Sequence, residues 1–131
     1  MPVSFENIVK GNTYSRQQLA TMWGYAGYQA IARGVVTPRD DNKIVLFVTE
    51  EKQSSSEPYD DKLDGDMLEW EGPNDHFAEA RMTRMELDGD EIHLFHRDRH
   101  HADFVYLGQL NVISHVEHVD QPSCFTFRVR S

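Results

Sequence analysis

The run Ile44-Val45-Leu46-Phe47-Val48 constrains this chain more than any other, because it is apolar at every position. A short β-branched and aromatic run without polar alternation marks a strand buried on both faces. The run has a counterpart. Asn42-Lys43-Ile44-Val45-Leu46-Phe47 and Asp90-Glu91-Ile92-His93-Leu94-Phe95 share an I-x-L-F core at an offset of 48 residues, each followed by a charged, polar stretch. Two related strands placed alike in one curved sheet would give this pattern, and so would coincidence, since strands are made of such residues. On either reading Ile44, Leu46, Phe47, Ile92, Leu94 and Phe95 belong to the core, together with Phe125 and Phe127.

Further strands are expected at residues 67–71, 81–87, 104–112 and 124–129, separated by turn-forming stretches such as Leu63-Asp64-Gly65-Asp66 and Leu87-Asp88-Gly89-Asp90. The N-terminal part reads differently. Ser15 with Gln18 three residues on fits a capping box, and Leu19, Met22, Trp23 and Ala26 recur at helical spacing. A helix over 16–23 should therefore pack Leu19, Met22 and Trp23 inward. Gly24, Gly27 and Gly34 fragment the next stretch, leaving a second short helix over 28–33 stopped by Gly34. The stretch from Gln53 to Pro58 reads as a mobile loop within one domain. These elements predict an α+β fold: a single domain over 1–131, with a helical pair in 13–34 packed on a curved, mostly antiparallel, barrel-like sheet over 44–129.

A chain of 131 residues is the size of one domain. No apolar run approaches the ~20 residues of a membrane span. The N-terminus lacks the basic and apolar regions of a signal peptide, so a cytoplasmic location is expected. Cys124, the one cysteine, excludes an internal disulfide and a multi-cysteine zinc site, and its apolar neighbours suggest core filling. The net charge of −9 argues against nucleic acid until its distribution is considered. Residues 57–91 hold 13 acids against Lys62, Arg81 and Arg84, whereas the other 96 residues hold 9 acids and 10 bases. A phosphate-facing surface needs local positive potential, so the acidity weakens a DNA-binding role without excluding it.

Four groups of residues could carry chemistry. Asp60 to Glu71 nearly matches a calcium-binding loop, but Lys62 puts an ammonium at a ligand position and prolines flank the segment, so it reads as an acidic turn entering a strand. His93, His96, His100, His101, His115 and His118 suggest metal chemistry, yet no H-E-x-x-H pair is present, and His93 and His96 point to opposite faces of an unbroken strand. His96-Arg97-Asp98-Arg99-His100-His101 is either a loop that holds a phosphate backbone or a solvated loop in which Asp98 and Asp103 pair the arginines. Tyr59-Asp60-Asp61 with Trp70 and Tyr106 supplies the aromatic face and acceptor that reading an extruded base requires, unless the aromatics simply fill the core. No nucleophile elbow, phosphate-cradling glycine loop or Cys/His nucleophile arrangement occurs, so neither an enzyme nor a cofactor is expected.

The order Tyr59-Asp60-Asp61, Trp70-Glu71-Gly72, Ile92-His93-Leu94-Phe95-His96-Arg97, Phe104-Val105-Tyr106-Leu107-Gly108 and Pro122-Ser123-Cys124-Phe125 resembles an uncharacterised C-terminal domain of bacterial restriction helicases and some HNH-containing endonucleases. That domain is similar to the SRA-like and PUA-like readers of modified cytosine. The resemblance implies a non-enzymatic DNA-binding module in a restriction or mobile-element setting. It nominates Tyr59 and Asp61 as base contacts and Arg97, with Tyr106 beside it, at the phosphates or the pocket edge. Arg99 and Arg39 would complete a basic concave face. A protein–protein interaction module on the same fold, or a small metal-dependent enzyme using residues 93–101, are the alternatives.

Overall fold

The computed structural model describes residues 3–38, 41–50, 62–72, 77–99, 102–116 and 123–130. At its centre β3 (Lys43–Thr49) and β6 (Glu91–Arg97) lie side by side, and they are parallel. Ile44 pairs with Ile92, Leu46 with Leu94 and Phe47 with Phe95, so the offset of 48 residues seen in the sequence is the register of this pair. Both strands are buried without interruption, from Ile44 to Val48 and from Ile92 to His96.

The other strands pair antiparallel. The two-residue β1 (Thr13–Tyr14) sits on β7 (Phe104–Val116), and β2 (Val35–Val36) on β3. Beyond β6 the sheet continues through β7, β8 (Cys124–Val129), β5 (Met67–Glu71) and β4 (Lys62–Asp64). The path is open rather than barrel-like: it starts at β2 and ends at β4. Closure would need a ladder between these edges, and strands of two and three residues offer little to build one. The chain is thus α+β and dominated by one mixed sheet.

Each face of the sheet has its own core. Val45, Phe47, Phe95, Phe104 and Tyr106 pack with Tyr14, Leu19, Trp23 and Ile31. Ile44, Leu46, Ile92, Leu94 and Leu110 pack with Trp70, Met82, Met85, Phe125 and Phe127. In strand β7 the even-numbered residues change cores, Phe104 and Tyr106 facing one and Leu110 the other, because the strand is bulged. Leu94 pairs with Gly108 but Phe95 with Tyr106, which leaves Leu107 as an extra residue and reverses the in–out phase of the strand. Gly108 takes up the distortion at φ +101.

Helix α1 (Arg16–Met22) begins where expected, with the Gln18 amide donating to Ser15 Oγ at 3.0 Å. Leu19, Ala20 and Trp23 face inward, and the Trp23 indole donates to the Ser4 carbonyl at 2.9 Å. Met22 does not pack as expected. It is 41% exposed, because the buried stripe runs along 19, 20 and 23 and position 22 lies off it. The second element of the expected helical pair is one 3₁₀ turn, Tyr28–Ile31, short because Gly27 precedes it and Gly34 follows closely.

Residues 81–87 are not a strand. They fall in α2 (Glu79–Thr83), a turn at Arg84 and α3 (Met85–Asp88). The two inward side chains, Met82 and Met85, are three apart, a helical interval that a strand would send to opposite faces. Cys124 is exposed rather than core-filling, since period-two alternation turns Phe125 and Phe127 in and leaves Cys124 out. The described part of the acidic 60–71 segment is the β4–β5 hairpin, turning at Gly65 with φ +62. No helix among the described residues is long and apolar enough to cross a membrane.

Candidate nucleic-acid interface

Parallel pairing brings Arg97, the last residue of β6, opposite Thr49, the last of β3. Arg97 Nε donates to Thr49 Oγ1 at 2.7 Å and Nη1 to the Ala102 carbonyl at 3.1 Å, while its Cζ lies 4.3 Å from the centre of the Phe104 ring. Arg16, in the first turn of α1, reaches the same place. Its Cζ is 5.1 Å from the Phe104 centre and 4.7 Å from that of Phe47. The two rings meet edge to face at 5.1 Å and form an aromatic seat for both guanidiniums.

Such a seat concentrates positive charge. Burial, and then the nearby Arg97 charge, push Arg16 down to about 10, and burial lowers Arg97 as well. At about 10, Arg16 stays protonated at neutral pH. Arg16 Nε is buried without a hydrogen-bond partner. Among the described residues no carboxylate forms an ion pair with Arg16, Arg97 or Arg99. Of the two readings of the 96–101 segment, the one in which Asp98 and Asp103 pair the arginines is therefore not what these side chains do. Two neighbouring guanidiniums with unfilled donors attract an anion, and a phosphate group fits their forked geometry. Beside them lies a cavity of about 300 Å³ lined by Arg97, Asp98, Arg99 and Asp103 among others.

The described histidines, His93, His96 and His115, diverge, and His100, His101 and His118 lie outside the described residues. His93 Nδ1 lies 2.7 Å from Tyr106 Oη and Nε2 lies 2.9 Å from Glu91 Oε1, with Phe5 stacked on the imidazole at 3.8 Å. Burial lowers the His93 pKa against the opposing pull of Glu91, and burial followed by Glu91 pushes Tyr106 up to about 12. The arrangement fits a neutral imidazole that donates to Glu91 and accepts from the Tyr106 hydroxyl. Tyr106 thus shares β7 with the Phe104 seat of the arginines but is turned into the core. His96 Nε2 meets Glu50 Oε2 at 2.8 Å, and His115 stacks on Phe125 at 5.6 Å. Glu50, His96 and Asp98 form the one described group able to hold a metal ion, with ligand atoms within 4.8 Å of one another.

Of the residues predicted from sequence, Arg97 and Arg99 are together at this strand end, and Trp70 is buried against Phe125 and Phe127. Tyr59, Asp61 and Arg39 lie outside the described residues. Arg16 was missed. It sits in a run read only for its helix cap, and nothing local signals that α1 delivers its side chain to β3 and β7.

The family model described as "Domain of unknown function (DUF3427)" matches residues 8–125. No curated protein sequence matches the chain. The fold is similar to that of the SUVH5 SRA domain in its complex with hemi-methylated CG DNA, with a TM-score of 0.66 at 14% identity over 98% of this chain and 92% of that one. The same domain bound to fully hydroxymethylated CG DNA gives 0.63 at 14% identity, over 98% and 93%. The DNA modification-dependent restriction endonuclease AspBHI gives 0.57 at 13%, over 97% of this chain and 79% of that one. The SRA-like resemblance read from the sequence thus holds at the level of the fold.

Proposed function

The chain belongs to the DUF3427 family, and we propose that it is a non-enzymatic DNA-binding module that reads a modified base. The observation that carries this reading is the pair Arg16 and Arg97, seated on Phe47 and Phe104 without carboxylate partners among the described residues, on a fold shared with SRA domains. In this reading Arg16, Arg97 and Arg99 hold backbone phosphates, with Arg39 extending the basic face. Tyr59 stacks on the base and Asp61 accepts from its exocyclic amine. Tyr106 acts from behind, fixing His93 and through it Phe5. The setting is a restriction or mobile-element system.

Titration of short duplexes carrying unmodified, methylated or hydroxymethylated cytosine, at two salt concentrations, tests the reading. Arg97→Ala should weaken all duplexes about equally and reduce the salt slope by about 1, because phosphate contacts carry no sequence information. Asp61→Asn should erase the preference for the modified base while leaving the slope intact. Absence of wild-type binding even at low salt overturns it.

One observation favours a protein partner instead. Leu87, Ile113 and Val116 are exposed, at 89%, 48% and 57%, and the first two line a second cavity with Met85 and Val112. Failure of every duplex would make that face the better account.

A further inference from the structure

The strand end that carries Arg97 also carries its chemical opposite. The β3–β6 register, carried one step past Thr49 and Arg97, sets Glu50 beside Asp98, and the Glu50 amide donating to the Arg97 carbonyl at 3.1 Å continues the ladder. Two carboxylates on adjacent strands, ~4.8 Å apart in the hydrogen-bonding direction, repel. Here His96, which is 8% exposed, aims Nε2 at Glu50 Oε2, and Asp98 offers an oxygen within 4.8 Å of both. Glu50 is held in place from its other oxygen, which accepts from the Leu63 amide at 3.3 Å.

We propose that Glu50, His96 and Asp98 bind one divalent transition-metal ion of the zinc type. The donor set is one imidazole nitrogen and two carboxylate oxygens, a combination that suits zinc and its neighbours better than calcium or magnesium. Ligands bonded at 2.0–2.1 Å in a tetrahedron stand roughly 3.3 Å apart. The 2.8 Å between His96 Nε2 and Glu50 Oε2 needs to widen by only about half an ångström, replacing a shared proton with the ion. A cavity bounded by His96 and Asp98 lies beside these groups. An ion here would tie the end of β3 to the root of the β6–β7 loop and offset two negative charges next to Arg97. The site stands whether or not the chain reads DNA.

The test is calorimetric titration of the metal-free full chain with zinc alone, followed by the absorption spectrum of cobalt in its place. One ion per chain is expected, with Glu50→Gln and Asp98→Asn each weakening binding at least about tenfold and His115→Ala leaving it unchanged. Asp98 is exposed, so its variant should fold even if that at Glu50 does not. Equal affinity in wild type and Asp98→Asn, or an equal loss in His115→Ala, overturns the site in favour of scattered surface imidazoles.

Discussion

His93 is a buried histidine, 2% exposed, whose environment disfavours the charged form. Its folded pKa lies below the ordinary value of 6.5, chiefly through burial. As pH falls through 6.5 the unfolded chain takes up this proton first, so the unfolded state binds more protons and stability declines. Above 6.5 the imidazole is neutral in both states and contributes no slope. Urea midpoints of wild type and His93→Gln should therefore draw together as pH is lowered from 7.5 to 5. A gap that stays constant would show that the imidazole titrates freely in the fold. Gly108 is a second single-residue device. At φ +101 an alanine is strained, while its Cβ would make only an ordinary contact with Lys10 Cε at 3.4 Å. Gly108→Ala should cost more than ~1 kcal/mol through the backbone, read as a lower urea midpoint.

Among the elements, α1 separates capping from packing. Ser15→Ala removes one hydrogen bond at the helix start and should cost about 1 kcal/mol, while Trp23→Ala empties a buried indole site and should cost about 3–5 kcal/mol. Comparable midpoint shifts would contradict the packing. The cap was legible in the sequence because its two partners, Ser15 and Gln18, stand only three positions apart. So were β6 and β8, where Ile92, Leu94, Phe125 and Phe127 announce their burial by pattern. The helical nature of 81–87 was not legible, because Met82 and Met85 make too short a run to separate periods of 2 and 3.6. The phase reversal at Leu107 was hidden as well: only the pairing of Tyr106 with Phe95 and Gly108 with Leu94 reveals it. Arg16 stayed invisible as a site residue for a similar reason, since its neighbours Phe47 and Phe104 are distant in sequence.

For the whole molecule, a net charge of −9 means that any DNA affinity must come from a small patch working against the overall field. Binding should accordingly be steeply salt-dependent, and raising salt should cost more affinity than Asp61→Asn does on unmodified duplex. The central parallel pair has a different kind of consequence, in the time course of folding. Strand β6 meets β7 across the short loop between Arg97 and Phe104, but it meets β3 only after a segment of 48 residues has been closed. That closure costs on the order of 3 kcal/mol in chain entropy before any contact offsets it. The β6–β7 hairpin should form early and β3 should dock late. Leu46 and Leu94 are register partners, both fully buried, so their alanine variants lose similar contacts. Stopped-flow kinetics should nevertheless tell them apart: Leu94→Ala slows refolding, whereas Leu46→Ala chiefly hastens unfolding.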